Sequence, residues 1–84
     1  MGYTVEEYLG MMVAAGRQPS TIASYRNIFR SFARFLDVPL DEVHNHLSSE
    51  TLIKYVGSLK GHTGLTIRQK LTILRAYFTE NGVQ

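Results

Sequence analysis

The sequence predicts an all-α protein, a compact bundle of four main helices with one additional short helix. Apolar residues recur at spacings of three and four in four separate segments, which is the period of an amphipathic helix. No segment shows the alternation of polar and apolar residues that is typical of a β-strand. The length of 84 residues corresponds to a single domain, and the 44% hydrophobic content is sufficient for a small helical core.

The first helix is predicted from Tyr3 to Ala15. Thr4 and Glu7 have the spacing of a capping box, in which each side chain binds the main-chain N–H of the other residue. Gly16 is typical of the position that follows a helix. Met11 and Met12 are expected to fill gaps in the core, because methionine adapts well to irregular packing.

The second helix, from Pro19 to Leu36, is expected to organise the fold. Pro19 suits a first helical position, and the segment 37–39 ends the helix because the residue before a proline avoids helical geometry. Its apolar side is expected to form the centre of the core: Ile22, Tyr25, Ile28, Phe29, Phe32, Ala33, Phe35 and Leu36. Its polar side carries a ridge of three arginines with no acid between them: Arg26, Arg30 and Arg34.

The remaining segments complete the bundle. A short helix is predicted over Leu40–Leu47, with Val43 and Leu47 facing inward. Ser48 or Ser49 caps the next helix, which extends to about Lys60 and is expected to bury Leu52, Tyr55, Val56 and Leu59. A loop at 61–64 precedes the last helix, Leu65–Glu80, whose predicted core residues are Ile67, Leu71, Leu74, Tyr77 and Phe78.

The positive charge is concentrated in two helices. Six of the nine basic residues lie in the second and last helices, whereas six of the seven acids lie outside them. Segregation of this kind is typical of a surface that faces a polyanion. Solvated helix faces without a partner explain the charge distribution alone equally well.

The sequence contains no recognisable catalytic set. It has no Ser-His-Asp arrangement, no glycine-rich phosphate loop and no cysteine. His44 and His46 are two residues apart and therefore do not face each other on a helix, so we expect no metal site. His62 lies in a loop, where it is either a phosphate contact or an ordinary surface histidine. We expect no cofactor, no enzymatic activity in this chain alone and, because no apolar run reaches membrane length, a soluble cytoplasmic protein.

Two helix starts resemble each other. Residues 18–22 open the second helix and residues 63–67 open the last, and each places a Thr-Ile pair in the first turn, ahead of basic residues. Helix N-termini offer free N–H groups to phosphates. For a single Ser or Thr, capping is the commoner explanation, but finding the arrangement twice ahead of a basic helix face favours DNA binding.

Three motifs occur in order between Arg17 and Gly82. The first is Thr21-Ile22 with Tyr25, Phe29, Phe32, Phe35 and Leu36; the second is Tyr55-Val56 with Leu59; the third is Thr63 to Ile67 followed by Leu71 to Phe78. With these motifs the sequence resembles the N-terminal core-binding domain, also called SAM-like, of tyrosine recombinases and phage-type integrases. Gln18 departs from the serine that is usual at the first capping position, which makes Ser20 an alternative cap.

The resemblance implies a four-helix domain that clamps duplex DNA during integration or site-specific recombination. It also implies a prokaryotic, viral or plasmid origin, self-association on DNA, and a separate C-terminal domain that carries the catalytic residues. In that family the openings of the second and fourth main helices contact DNA. The matching residues, with Lys60 added for its charge, are Arg17, Gln18, Ser20, Thr21, Ser24, Lys60, Thr63, Thr66, Arg68, Gln69 and Lys70.

Chemistry divides these residues into two groups. Phosphate contacts are expected from Arg17, Thr21, Lys60, Thr66 and Lys70, and contacts with base edges from Ser24, Arg68 and Gln69. Arg34 and Arg75, near predicted helix C-termini, have the alternative role of offsetting the helix dipole. The competing function is a protein–protein interaction module, for which Ile53 and Ile73 are the candidate exposed residues.

Overall fold

The computed structural model describes residues 2–59, 61 and 64–83. The described residues form four α-helices and one 3₁₀ helix and contain no strand, so the predicted all-α class is confirmed. The α-helices are α1 (Val5–Ala14), α2 (Pro19–Leu36), α3 (Ser49–Gly57) and α4 (Gly64–Glu80), and the 3₁₀ helix is Leu40–Asn45.

The predicted helix-end signals act at α1 and α3. The Thr4 main-chain N–H donates to Glu7 Oε1 over 2.8 Å, and the Glu7 N–H donates to Thr4 Oγ1 over 3.1 Å, which is a complete capping box. The hydrogen bond that the Thr4 main-chain N–H donates to the Glu7 carboxylate lowers the pKa of that carboxyl. Gly16 follows α1 with a φ of 88°, and Ser48 caps α3 by accepting from the Thr51 N–H.

The second helix begins and ends at the predicted residues. Gln18 is its N-cap but forms no side-chain capping bond, and Pro19 follows as the first helical residue. The alternative of a Ser20 cap is therefore wrong, because Ser20 lies inside the helix. At the other end Asp37 takes a left-handed conformation with a φ of 59°, and the Val38 N–H donates to the Ala33 carbonyl oxygen.

Aromatic rings from all four α-helices form the centre of the core. Tyr8, Phe29 and Tyr77 contact one another with ring centroids 5.0–6.1 Å apart. Phe32 lies edge-on to Tyr55 at 5.1 Å and is fully buried, as predicted. Such pairs contribute about 0.5–1.5 kcal/mol beyond the burial of their area.

Three predictions about the core are wrong. Phe35 and Met11 were expected inside, but about two-fifths of each is exposed, because each lies at the edge of its helix's apolar side. Ile73 was expected outside, but it is buried, because α4 packs against both α2 and α3 and so buries a wider part of its surface. Ile53, the other candidate for exposure, is 70% exposed, and this prediction is confirmed.

The third main helix is shorter than predicted. It ends at Gly57, with Ser58 as C-cap, whereas the sequence pattern predicted an end near Lys60. Leu59 nevertheless is buried, so the apolar pattern correctly identified a core residue beyond the helix. Lys60 itself lies outside the described residues.

Candidate nucleic-acid interface

An open groove of about 490 Å³ lies between α2 and α4. We call it the α2–α4 groove; its lining residues are Tyr25, Arg68, Gln69, Thr72 and Ile73. Tyr25 comes from α2 and the other four come from α4. The groove thus lies between Tyr25 of α2 and two residues of α4, Arg68 and Gln69, that were predicted to contact base edges.

The walls of this groove are polar and its floor is apolar. Arg68 and Gln69 are exposed, whereas Ile73 is buried and Tyr25 is half-buried. The Thr72 hydroxyl donates to the Arg68 carbonyl oxygen over 2.9 Å. Its proton is therefore committed to the helix, and the guanidinium of Arg68 and the amide of Gln69 are the principal groups available to a ligand.

The start of α2 supplies a second cluster of predicted residues. Arg17 is exposed, and its N–H donates to the Met12 carbonyl oxygen, which holds it beside the end of α1. Gln18, the N-cap residue, forms no side-chain capping bond with the first turn of α2. An uncapped first turn keeps its N–H groups and the positive end of the helix dipole available to an anion.

Two other predicted residues on α2 differ in their surroundings. Ser24 is exposed, but its hydroxyl donates to the Ser20 carbonyl oxygen over 3.1 Å. While this hydrogen bond is present, the Ser24 oxygen can only accept a hydrogen bond from a base edge. Thr21 is half-buried and lies one helical turn before Tyr25, on the approach to the α2–α4 groove.

The structure does not bring Lys70 into the groove. Lys70 is half-buried, and the residues three, four and seven positions later, Ile73, Leu74 and Tyr77, are all buried. It therefore lies on the packed side of α4, on the opposite side of the helix from Arg68. Thr66 is half-buried as well. The remaining predicted residues, Lys60 and Thr63, lie outside the described residues, as does His62.

The arginine ridge of α2 is not free of acid. Arg26 Nη1 contacts Glu6 Oε2 of α1 at 3.1 Å, so one of its three positive charges is paired. The second ion pair joins Lys54 to Glu50 at 3.0 Å on α3. Six other cations form no ion pair with a described residue: Arg17, Arg30, Arg34, Arg68, Lys70 and Arg75.

Of Arg34 and Arg75, only Arg34 lies where it can offset the dipole of its helix. Arg34 lies in the last turn of α2, where a cation offsets the negative end of the helix. Arg75 lies too far from the end of α4 for this role, since the last turn of α4 contains no basic residue.

The two candidate metal ligands have different surroundings. His44 is half-buried and its Nδ1 has no hydrogen-bond partner, whereas His46 is exposed. Among the residues that the structure describes, no three His, Cys, Asp or Glu side chains come close enough to hold a metal ion.

Sequence reasoning missed the role of Tyr25 in the groove. The helical period assigned it to the core, and its half-buried position shows that this is only partly correct. A signal was present in the residue type, because tyrosine commonly combines a buried ring with a polar end that reaches the surface. The period of a single helix does not reveal which neighbouring helix leaves that end uncovered.

No helix in the described part of the chain has the length and apolar character needed to cross a membrane. Comparison with protein-family models, with curated proteins and with solved structures found no significant match.

Proposed function

We propose that this chain is a DNA-binding domain that holds duplex DNA across α2 and α4. One observation carries this function: Arg68 and Gln69 line the same open groove as Tyr25 of α2, although more than 40 residues separate them in the sequence. Both helices that the sequence marked for DNA contact therefore contribute to this groove, α2 through Tyr25 and α4 through Arg68 and Gln69. That surface combines a cation, an amide and an aromatic ring.

Each of these groups has a recognised role in binding nucleic acids. An arginine forms two hydrogen bonds with a guanine or an ion pair with a phosphate, and a glutamine amide forms two hydrogen bonds with an adenine. Arg17 and the uncapped first turn of α2 supply a phosphate-binding site beside the groove. Phosphate contacts set the position of the protein on the duplex, and Gln69 and Arg68 then read base edges in the major groove.

We further propose that the domain serves a tyrosine recombinase or integrase, as a clamp without catalytic residues of its own. The support for this role is the resemblance of the three ordered sequence motifs. The four α-helices agree in number with the domain that the resemblance implies. In such a protein a C-terminal catalytic domain cuts the DNA, while the residues of α2 and α4 hold it in place.

A salt titration of DNA binding tests this function. The protein is titrated into a fluorescent duplex, and anisotropy gives the dissociation constant at several salt concentrations. We expect a value of about 10⁻⁴–10⁻⁶ M at physiological salt, which is typical of binding to phosphates without a preferred sequence, and much tighter binding at low salt. Absence of binding at low salt would rule the function out.

A matched pair of variants locates the binding surface. Combined substitution of Arg68→Ala and Gln69→Ala should weaken binding, because both side chains line the α2–α4 groove. Lys54→Ala removes an exposed cation that already pairs with Glu50 and should have little effect. Equal losses of affinity in the two variants would show that DNA binding depends only on the net charge of the protein.

A further inference from the structure

A second groove lies between α4 and α3, further along α4. It consists of two adjoining hollows of about 290 and 220 Å³, which share Leu52, Ile53 and Arg75. We call it the α3–α4 groove; the residues that matter here are Leu52, Ile53, Val56, Leu71, Arg75 and Phe78. It has no lining residue in common with the α2–α4 groove. The proposed DNA binding at the α2–α4 groove therefore does not explain the α3–α4 groove.

The surface of the α3–α4 groove is mainly apolar. Ile53 is 70% exposed, the highest value among the large apolar residues of the described chain, and Leu52, Val56 and Leu71 are half-buried around it. A single exposed isoleucine is unremarkable, but an exposed isoleucine on the rim of a continuous apolar groove marks a surface suited to a partner.

A single cation lies in the middle of this groove. Leu71, Arg75 and Phe78 have helical spacings of four and three, so they form one row along α4, with the arginine between two apolar side chains. Arg75 forms no ion pair with a described residue, and it lines both hollows. A partner that covers the groove would bury this charge, which is costly unless a carboxylate meets it.

We propose that the α3–α4 groove binds a short amphipathic helix of another protein, with a carboxylate in the middle of its apolar stripe. Leu71 and Phe78 are seven residue steps apart, or about 10 Å, which corresponds to two turns of a helix. Apolar side chains one turn before and one turn after the carboxylate then contact Leu71 and Phe78, and Ile53 packs along the side. Such helix-in-groove recognition uses anchors at i, i+3 or i+4, and i+7.

The acids of α1 and α3 make either of these helices from a second copy a poor occupant. Glu6 and Glu7 lie one to two helical turns before the exposed Met11 and Val13 of α1, but Glu6 pairs with Arg26 and Glu7 belongs to the capping box. Glu50 pairs with Lys54. A carboxylate from a separate partner therefore complements Arg75 at lower cost than a carboxylate on α1 or α3 of a second copy.

Three synthetic helical peptides test this surface. They share leucines one turn before and one turn after a central residue, which is Glu, Gln or Lys. Each is titrated into ¹⁵N-labelled protein while amide chemical shifts are recorded. We expect the Glu peptide to shift the amides of Ile53, Leu71 and Arg75, and to bind about tenfold or more tightly than the Lys peptide.

Variants of exposed residues separate charge recognition from general stickiness. Arg75→Glu should reverse the order of the Glu and Lys peptides, and Ile53→Asp should weaken the Glu peptide about tenfold or more. The control is Val13→Asp, which places the same charge on an exposed apolar site of α1 and should leave binding unchanged. Circular dichroism of each variant confirms that its helices are retained.

Four outcomes would overturn this assignment. The first is equal binding of the Glu and Lys peptides, and the second is a set of shifted amides outside α3 and α4. The third is a wild-type dimer in sedimentation that Ile53→Asp converts to a monomer, because a second copy would then fill the groove. The fourth is loss of DNA affinity in Arg75→Glu beyond that in Arg68→Glu, which would assign Arg75 to the DNA surface.

Discussion

The Tyr77 hydroxyl donates a hydrogen bond to the main-chain carbonyl oxygen of Tyr3 over 2.6 Å. This contact joins the beginning of the described chain to the last helix, 74 residues away. Asn81 strengthens it, because its side-chain oxygen accepts from the Tyr3 N–H and its amide donates to the Tyr77 carbonyl oxygen. The segment before α1 is thereby fixed against α4.

The first prediction concerns this contact and alkaline pH. Burial raises the pKa of Tyr77 to about 12, whereas tyrosine in an unfolded chain titrates near about 10. The folded state therefore favours the neutral phenol, and this stabilisation is complete below pH ~10 and is lost as the pH rises from ~10 to ~12. Tyr77→Phe should lower the free energy of unfolding by about 0.5–1.5 kcal/mol at neutral pH.

Urea denaturation of both proteins from neutral pH to about pH 12 measures this effect. The free energy of unfolding should fall less steeply above pH ~10 in Tyr77→Phe than in the wild type, because phenylalanine cannot ionise. Burial also raises the pKa of Tyr8, so some alkaline loss should persist in the variant. Parallel curves for the two proteins would contradict the prediction.

The second prediction compares two phenylalanines of α2 that contact the same ring. Phe32 is fully buried and Phe35 is 40% exposed, and both lie edge-on to Tyr55, at 5.1 and 5.4 Å. Phe32→Ala should lower the free energy of unfolding by about 3–5 kcal/mol, because it leaves a cavity in the core. Phe35→Ala should cost about 1 kcal/mol, close to the value of one aromatic pair.

Chemical denaturation of the two variants under identical conditions provides the comparison. Equal losses would mean that the outer edge of α2 is packed as tightly as its centre. A loss below about 1 kcal/mol in Phe32→Ala would contradict the aromatic core itself.

The third prediction concerns the ion pair between Glu6 and Arg26, which connects α1 to α2. Both side chains are partly exposed, 52% and 32% respectively, so their coupling should be about 0.2–1 kcal/mol. A double-mutant cycle with Glu6→Gln and Arg26→Gln measures it. The coupling should shrink as salt is added, because exposed charges are screened. A coupling that does not change with salt would contradict an ion pair between exposed charges.

The starts of α1, α2 and α3 were predictable because their signals are local. The Thr4–Glu7 capping box, Pro19 and Ser48 each act within a few residues, and in the structure each of them lies at the start of a helix. The extent of burial was less predictable. Ile73 and Phe35 lie at the edges of apolar faces, and whether an edge is covered depends on neighbouring helices that one helical period does not specify.

The candidate site was predictable only in part, for the same reason. The sequence indicated Arg68 and Gln69, which line a common groove, but it also indicated Lys70, which lies on the packed side of α4. The Glu6–Arg26 pair spans 20 residues and depends on the contact between α1 and α2. The arginine ridge therefore looked free of acid until the arrangement of the helices was known.

The choice between the two basic surfaces is the central question for DNA binding. On α2, Arg30 lies five residues after Tyr25, which places the two about 140° apart around the helix. The arginine ridge and the α2–α4 groove therefore face different directions. Arg34 and Arg68 are both exposed and form no ion pair with a described residue, so they form a matched pair, one for each surface.

The slope of DNA affinity against salt concentration, measured for Arg68→Ala and Arg34→Ala, tests the account most directly. Each lost phosphate contact lowers that slope by about one. We predict a lower slope or a base-dependent loss of about 1–3 kcal/mol for Arg68→Ala, and wild-type behaviour for Arg34→Ala. A reduced slope in Arg34→Ala, together with wild-type affinity and slope in Arg68→Ala, would contradict the account and assign the DNA surface to the arginine ridge of α2.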